Sequence, residues 1–270
     1  MKKTGIFSKI YIGLIFLFLY APIIVLMVFS FNESKSRAYF TGFTFKWYRQ
    51  LFENELIMQS LFNSLIMALC ASVIATVVGT MAAVGINRMG KRTRGLIMNV
   101  TYLPVLNPEI VTGISMMLLF VWFKNTFNVP LGFTTVLIAH ITFCLPYVIL
   151  NVLPKLRQMD INIYEAAMDL GCTPTKAFFK VVIPQIMTGI TSGFMMAFTF
   201  SLDDFVITYF TAGDGFKMLP TTIYAMVRKK VNPQINALST IIFMIVLILL
   251  IIMNVMEAKK AKKLQNTSKF

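Results

Sequence analysis

The chain has 270 residues, of which 57% are hydrophobic and 13% charged, and its mean hydropathy is +0.74. That balance excludes an ordinary soluble globular domain and points to an integral membrane protein. The net charge of +14 would suggest nucleic acid as partner in a soluble protein, but here the basic residues fall between apolar runs, where they orient a chain in a bilayer.

A helix needs about 20 apolar residues to cross a bilayer core. Runs of that kind fall at about residues 10–30, 57–86, 95–123, 133–153, 188–210 and 235–256. Six transmembrane helices are therefore expected, an all-α polytopic fold in one membrane domain over residues 1–270. The first run, in MKKTGIFSKIYIGLIFLFLYAPIIVLMVFSF, begins like a secretory signal but has no small-x-small cleavage site after it, so it reads as an uncleaved span. The segment from Asn32 to Glu55 mixes aromatics with Lys46 and Arg49, as an amphipathic helix at the interface would. Trp47 and Tyr48 read there as aromatic-belt anchors, and Trp47 is also a candidate for a substrate path.

A short basic turn, Asn87 to Arg94, follows the second run. The third contains LPVLNPE, with Pro104 and Pro108 near mid-membrane, where each proline removes a backbone donor and makes helix continuity doubtful. With the N-terminus inside, Arg88, Lys91, Arg92, Arg94, Lys155, Arg157, Lys176, Lys180 and the terminal lysines lie in the cytosol, and an even span count places both termini there. Arg228, Lys229 and Lys230 run against this bias.

The longest cytosolic connection, residues 154–185, reads as two short helices. Asn162 is the expected cap of the first, with Glu165 as capping-box partner and Gly171 in the left-handed terminal position. Thr173 caps the second, Pro174 occupies its first turn, and Pro184 is expected to disrupt it at the membrane surface. Cys70, Cys144 and Cys172 are scattered and suggest neither a disulfide framework nor a metal site.

The fifth run holds Ser201-Leu202-Asp203-Asp204-Phe205, and an aspartate at mid-span costs roughly 2.5 to 3.5 kcal/mol on insertion scales. The six runs contain Glu109, Asp203 and Asp204 but no Lys or Arg, with His140 the one other candidate. A cationic substrate is the economical counter-ion, its ammonium groups pairing with carboxylates and lying against Phe205, Tyr209 or Trp47. Protonated carboxyls, capping at a helix break, or a base on another subunit are alternatives. Neighbours on a helix project about 100° apart, so Asp203 with Ser201 is taken as the working pair and Asp204 as a second contact, an order that could be reversed. His140 reads as a packing histidine.

Glu165-Ala166-Ala167, then Gly171, then Ile183-Pro184, resembles the EAA loop of ABC-importer permeases: EAA, three residues, Gly, nine residues, Ile-x-Leu-Pro, with Val181 and Ile183 in the aliphatic places. With SLDDF, the aromatic GFTFKWY and the proline-broken third span, the whole chain is similar to the permease subunits of spermidine/putrescine importers. The resemblance implies a type I importer permease (MetI-like) fold in the bacterial inner membrane. It further implies that Glu165, Ala166, Ala167, Gly171, Ile183 and Pro184 form a coupling element for a partner ATPase. The implied assembly has a second related permease, two copies of an ATP-binding subunit and an extracytoplasmic polyamine-binding protein. No phosphate-binding G-x-x-x-x-G-K-[ST] occurs in the chain, so ATP and Mg belong on the partner. An importer of another cationic or small polar solute is the alternative. An intramembrane aspartyl protease is remote, because its aspartates must face one water from different helices; a cation channel has no use for the EAA loop.

Overall fold

The computed structural model describes residues 6–34, 39–229, 233–248 and 251. Helices dominate the described residues: α1 (Ile6–Phe29), α2 (Lys46–Phe52), α3 (Glu55–Arg88), α4 (Lys91–Leu106), α5 (Glu109–Phe127) and α6 (Phe133–Gln158). They continue with α7 (Ile161–Asp169), α8 (Pro174–Ala177), a π turn (Phe178–Val182), α9 (Ile183–Asp203), α10 (Val206–Thr211), α11 (Leu219–Lys229) and α12 (Pro233–Ile248). Among the described residues, five helical stretches are long and apolar enough to cross a membrane: Lys9–Phe29, Glu55–Arg88, Glu109–Phe127, Phe133–Gln158 and the continuous run Pro174–Asp203. The sixth expected span begins with α12, and its end, residues 249–256, lies largely outside the described residues, as do the basic termini.

Three expected elements are corrected. The run at 95–123 is two helices: Asn107 leaves the helical region at ψ 140, as a residue before proline is pushed to do, and α5 restarts behind Pro108. The membrane-length helix is thus α5, while α4 begins with Lys91 and Arg92 and buries no residue. The run at 188–210 is also broken, since α9 ends at Asp203, Asp204 is extended (ψ 121), and α10 is a separate helix of 6 residues.

The third correction concerns the cytosolic connection. Pro184 does not end a helix; α8, the π turn and α9 run on as one helix of 30 residues, about 45 Å long. Ile183 N–H reaches back to Phe178 O, and this widened turn takes up the misfit that a proline ring creates with the preceding turn. The cap of α7 is Asp160, which accepts from Asn162 N–H at 3.0 Å, so the expected Asn162–Glu165 capping box is not what forms. Gly171 does close α7 in the left-handed region (φ +84), with its own N–H on Met168 O and Cys172 N–H on Ala167 O.

The chain falls into two compact units. One comprises residues up to Met58 and from Ile223 onward. Inside it, Trp47 is 3% exposed and its indole N–H donates to Asn32 O at 2.6 Å, while the Asn32 side chain accepts from Thr41 N–H and donates to Tyr39 O. The aromatic loop is therefore organised around one asparagine.

The other unit, residues 59–222, is built around α6. Gly189 and Gly193, four apart on α9, bring its backbone onto α6: a Cβ at Gly189 would lie 2.9 Å from Asn151 O, and one at Gly193 would lie 3.2 Å from Val148 Cα. Helix α3 meets the same residue of α6, since a Cβ at Gly79 would stand 2.7 Å from Val148 Cγ1. Small residues at four-residue spacing are how helices approach closely where lipid supplies no hydrophobic drive.

Candidate functional site: carboxylates at two helix breaks

The buried stripe of α9 runs Gly189, Gly193, Ala197, Ser201, and α6 answers it with Val152, Val148, Cys144 and His140. Cys144 Sγ lies 3.4 Å from Ala197 O, and at the end of the stripe His140 Nδ1 meets Ser201 Oγ at 2.7 Å. Two residues further on, α9 stops.

Asp204 then turns inward. Its carboxylate accepts from Ile207 N–H (3.2 Å), Thr208 N–H (2.7 Å) and Thr208 Oγ1 (2.8 Å), so it caps the first turn of α10. His140 Nε2 lies 3.0 Å from Thr208 Oγ1 and 3.4 Å from Asp204 Oδ2. When Nε2 carries the proton, each group has a role: Ser201 donates to Nδ1, Nε2–H donates to Thr208, and Thr208 donates to Asp204. Asp204 is 7% exposed, His140 1% and Ser201 0%. The buried carboxylate is held by these hydrogen bonds at the start of α10, with the His140 imidazole beside it.

Asp203 has the opposite environment. It is exposed at the last position of α9, and the pairing expected between it and Ser201 is replaced by Ser201 with His140. Glu109, exposed at the first position of α5 behind the Pro108 break, is close enough to act electrostatically on both Asp203 and Tyr147. Among the described residues neither Asp203 nor Glu109 has an ion-pair partner. The Tyr147 ring packs at a tilt against Phe200 (4.5 Å between centroids), and Phe205 likewise against the exposed Tyr209 (5.4 Å). The structure thus gathers Asp203, Glu109 and aromatic rings in one unit, takes Ser201 and Asp204 into the packed interior, and places Trp47 in the other unit.

Ser201, His140 and Asp204 have the residue types of a hydrolytic triad. Their burial argues against that chemistry, because Ser201 Oγ is sealed in a helix–helix contact with no room for a substrate carbonyl. Sequence reasoning left out His140 and Thr208. The readable signal was Asp204-x-x-Ile207-Thr208, an acidic residue placed to cap a new helix where an apolar run appeared continuous.

At the far end of the α9 rod, Glu165, Ala166 and Leu170 are exposed on the outer face of α7, Leu170 to 86%. Tyr164 and Phe178 turn inward around a small cavity shared with Val84, Leu156, Met159 and Val182. Ile183 is half-buried and Pro184 exposed at the π turn. The elbow therefore has an apolar tip on a short helix that is keyed into the ends of α3 and α6.

The family model described as binding-protein-dependent transport system inner membrane component matches residues 75–262. The putrescine transport system permease protein PotI of Escherichia coli (strain K12) is 42% identical over 231 residues, 84% of this chain and 82% of that one. The spermidine/putrescine transport system permease protein PotC of the same strain is 37% identical over 231 residues, 86% of each. Among solved structures, a chain of a bacterial alginate ABC transporter in complex with alginate pentasaccharide-bound periplasmic protein shares the fold, with a TM-score of 0.67 at 15% identity over 92% of this chain and 91% of that one.

Proposed function

The chain belongs to the family of binding-protein-dependent transport system inner membrane components, and from that premise we propose that it is a polyamine permease of an ATP-driven importer. It is a multi-pass transport subunit and not an enzyme. The observation that carries the substrate class is the pair Asp203 and Glu109: two exposed carboxylates at two separate helix breaks, without an ion-pair partner among the described residues. Ammonium groups separated by methylene chains suit them, each charge taking a carboxylate and the chain lying on Tyr147, Phe205 or Tyr209. The names of the relatives PotI and PotC, putrescine and spermidine/putrescine permeases, support the same class.

In this reading the chain sits in a bacterial inner membrane with both termini in the cytosol and pairs with a second, related permease. Of two copies of an ATP-binding subunit, which hold ATP and Mg, one docks on the exposed tip of α7 around Glu165, Ala166, Ala167 and Leu170. An extracytoplasmic binding protein delivers the polyamine. ATP-driven closure pushes on α7, and the rod from Pro174 to Asp203 carries that motion directly to the carboxylate at its other end. The coupling element on α7 thus lies next to the start of the helix whose other end carries the substrate contact.

The test is labelled spermidine uptake by proteoliposomes holding the assembled transporter and its binding protein. Asp203→Asn and Glu109→Gln are each expected to lower uptake at least fivefold at equal assembly. Uptake at the wild-type rate in both variants would remove the cation-path reading.

A further inference from the structure

We propose that His140 is a positioning residue for Asp203, acting through the break between α9 and α10. The inference rests on the reading of Asp203 as a substrate contact and deepens it. Only Asp204 and Phe205 separate the two helices, and His140 bonds to both sides of that gap, to Ser201 on α9 and to Thr208 on α10, while standing 3.4 Å from Asp204 within it. It is the single imidazole of the chain, on a third helix, α6.

Why would the direction of Asp203 depend on it? Helix α10 has 6 residues, too few to hold its own conformation in isolation, so its start is defined by what it touches. Its far end is fixed independently: Thr135 Oγ1 donates to Thr211 O at 2.8 Å, and Gly113 of α5 lies against Phe210. Its near end is held by Asp204, Thr208 and His140. Adjacent side chains on a helix diverge by about 100°, so drawing Asp204 inward towards His140 turns Asp203 outward, where it is exposed. With the staple removed, Asp204 keeps its cap bonds but the gap loses its tie to α6. The last turn of α9 can then rotate or fray. Asp203 would no longer stand in a fixed place beside Glu109.

The alternative is that His140 only fills space between α6 and α9. Two readouts on the assembled transporter separate these roles. The first is positional and independent of any substrate: Asp203→Cys, with Cys70 and Cys172 replaced and the buried Cys144 kept, is labelled with a cationic methanethiosulfonate reagent. The labelling rate is expected to change at least threefold when His140→Asn is added. Replacement by His140→Gln, which keeps a donor at the reach of Nε2, should restore most of the rate, while the apolar His140→Leu should not. If Asn fails to assemble, Ser201→Ala removes one bond of the staple with little change in volume and leaves the Asp204 cap intact, and the same shift is expected from it.

The second readout is spermidine moved per ATP hydrolysed, a ratio that does not depend on how much complex assembles. His140→Asn should lower it at least threefold beside Asp203 and less than 1.5-fold in an Asp203→Asn background, because the two residues then act as one unit. Unchanged labelling, equal performance of Gln and Leu, or fully multiplicative effects on the ratio would each overturn the proposal. Should Asp203→Asn transport normally, the polyamine-contact reading fails, and the labelling experiment still decides whether His140 positions the break.

Discussion

Removing Asp204 should damage stability, and removing Asp203 should damage transport, although the two carboxylates are adjacent in the chain. Asp204→Ala strips acceptors from Ile207 N–H, Thr208 N–H and Thr208 Oγ1 and takes away the carboxylate facing His140, all in a buried setting. Loss of a cap typically costs about 1 kcal/mol, and loss of a hydrogen bond to a charged acceptor about 1.5 to 3 kcal/mol. These terms overlap because the same oxygens serve both, so a net loss of about 3 kcal/mol is expected. Asp204→Asn keeps one acceptor oxygen and should cost about half as much. Asp203→Ala, at an exposed position, should stay within about 0.5 kcal/mol of the parent. Thermal melting of the purified assembly in one detergent, with uptake measured in parallel, tests the pair. A wild-type melting curve for Asp204→Ala together with a lowered one for Asp203→Ala would show that the two roles have been assigned the wrong way round.

Two further outcomes follow from the helix contacts and the elbow. Gly189→Ala places a Cβ 2.8 Å from Lys155 Cγ and 2.9 Å from Asn151 O, a backbone atom that cannot step aside, so it should destabilise by about 1 to 3 kcal/mol; Gly85→Ala, with nothing within 4 Å, should be neutral or better in the same melting assay. Gly171→Ala forces a side chain into φ +84, at about 1 to 2 kcal/mol of local strain, and should weaken stimulation of the partner ATPase by loaded binding protein while the melting of the permease changes little.

The five membrane-length helices among the described residues were legible because an unbroken run of about 20 apolar residues has few other uses. Helix ends were less so. Pro108 was readable as a break because proline acts on its own neighbours, whereas Pro184, the same residue type, sits inside a continuous helix because a π turn upstream absorbs it. The cap of α7 shows the same limit: Asn162 and Asp160 are both good caps, and which one begins the helix depends on how Met159 leaves α6. At the site, Asp203, Glu109, Phe205 and Tyr209 could be proposed from their types alone. His140 could not be joined to Ser201 and Thr208, 61 and 68 residues away, without knowing which faces of α6 and α9 meet.

From the sequence, Asp203 and Asp204 are both expected on a cation path, Asp204 as the second contact, with capping at a helix break as the alternative. The structure separates them, because a helix N-terminus carries roughly half a positive charge and can satisfy one carboxylate with backbone and hydroxyl donors. The remaining claim comes from Asp203 and Glu109, which stand on different elements. Asp203 ends a rod fixed to α6 through Gly189 and Gly193, and Glu109 begins a helix packed on α10 through Gly113. A cation bridging the two would tie α9 to α5. Any motion that draws these helices apart then separates the carboxylates and weakens the hold on the cation, since the attraction of each falls with distance. Two acids on one helix could not be uncoupled in this way, so under the proposed polyamine path, division of the pair between a structural cap and a path contact gives release a physical handle.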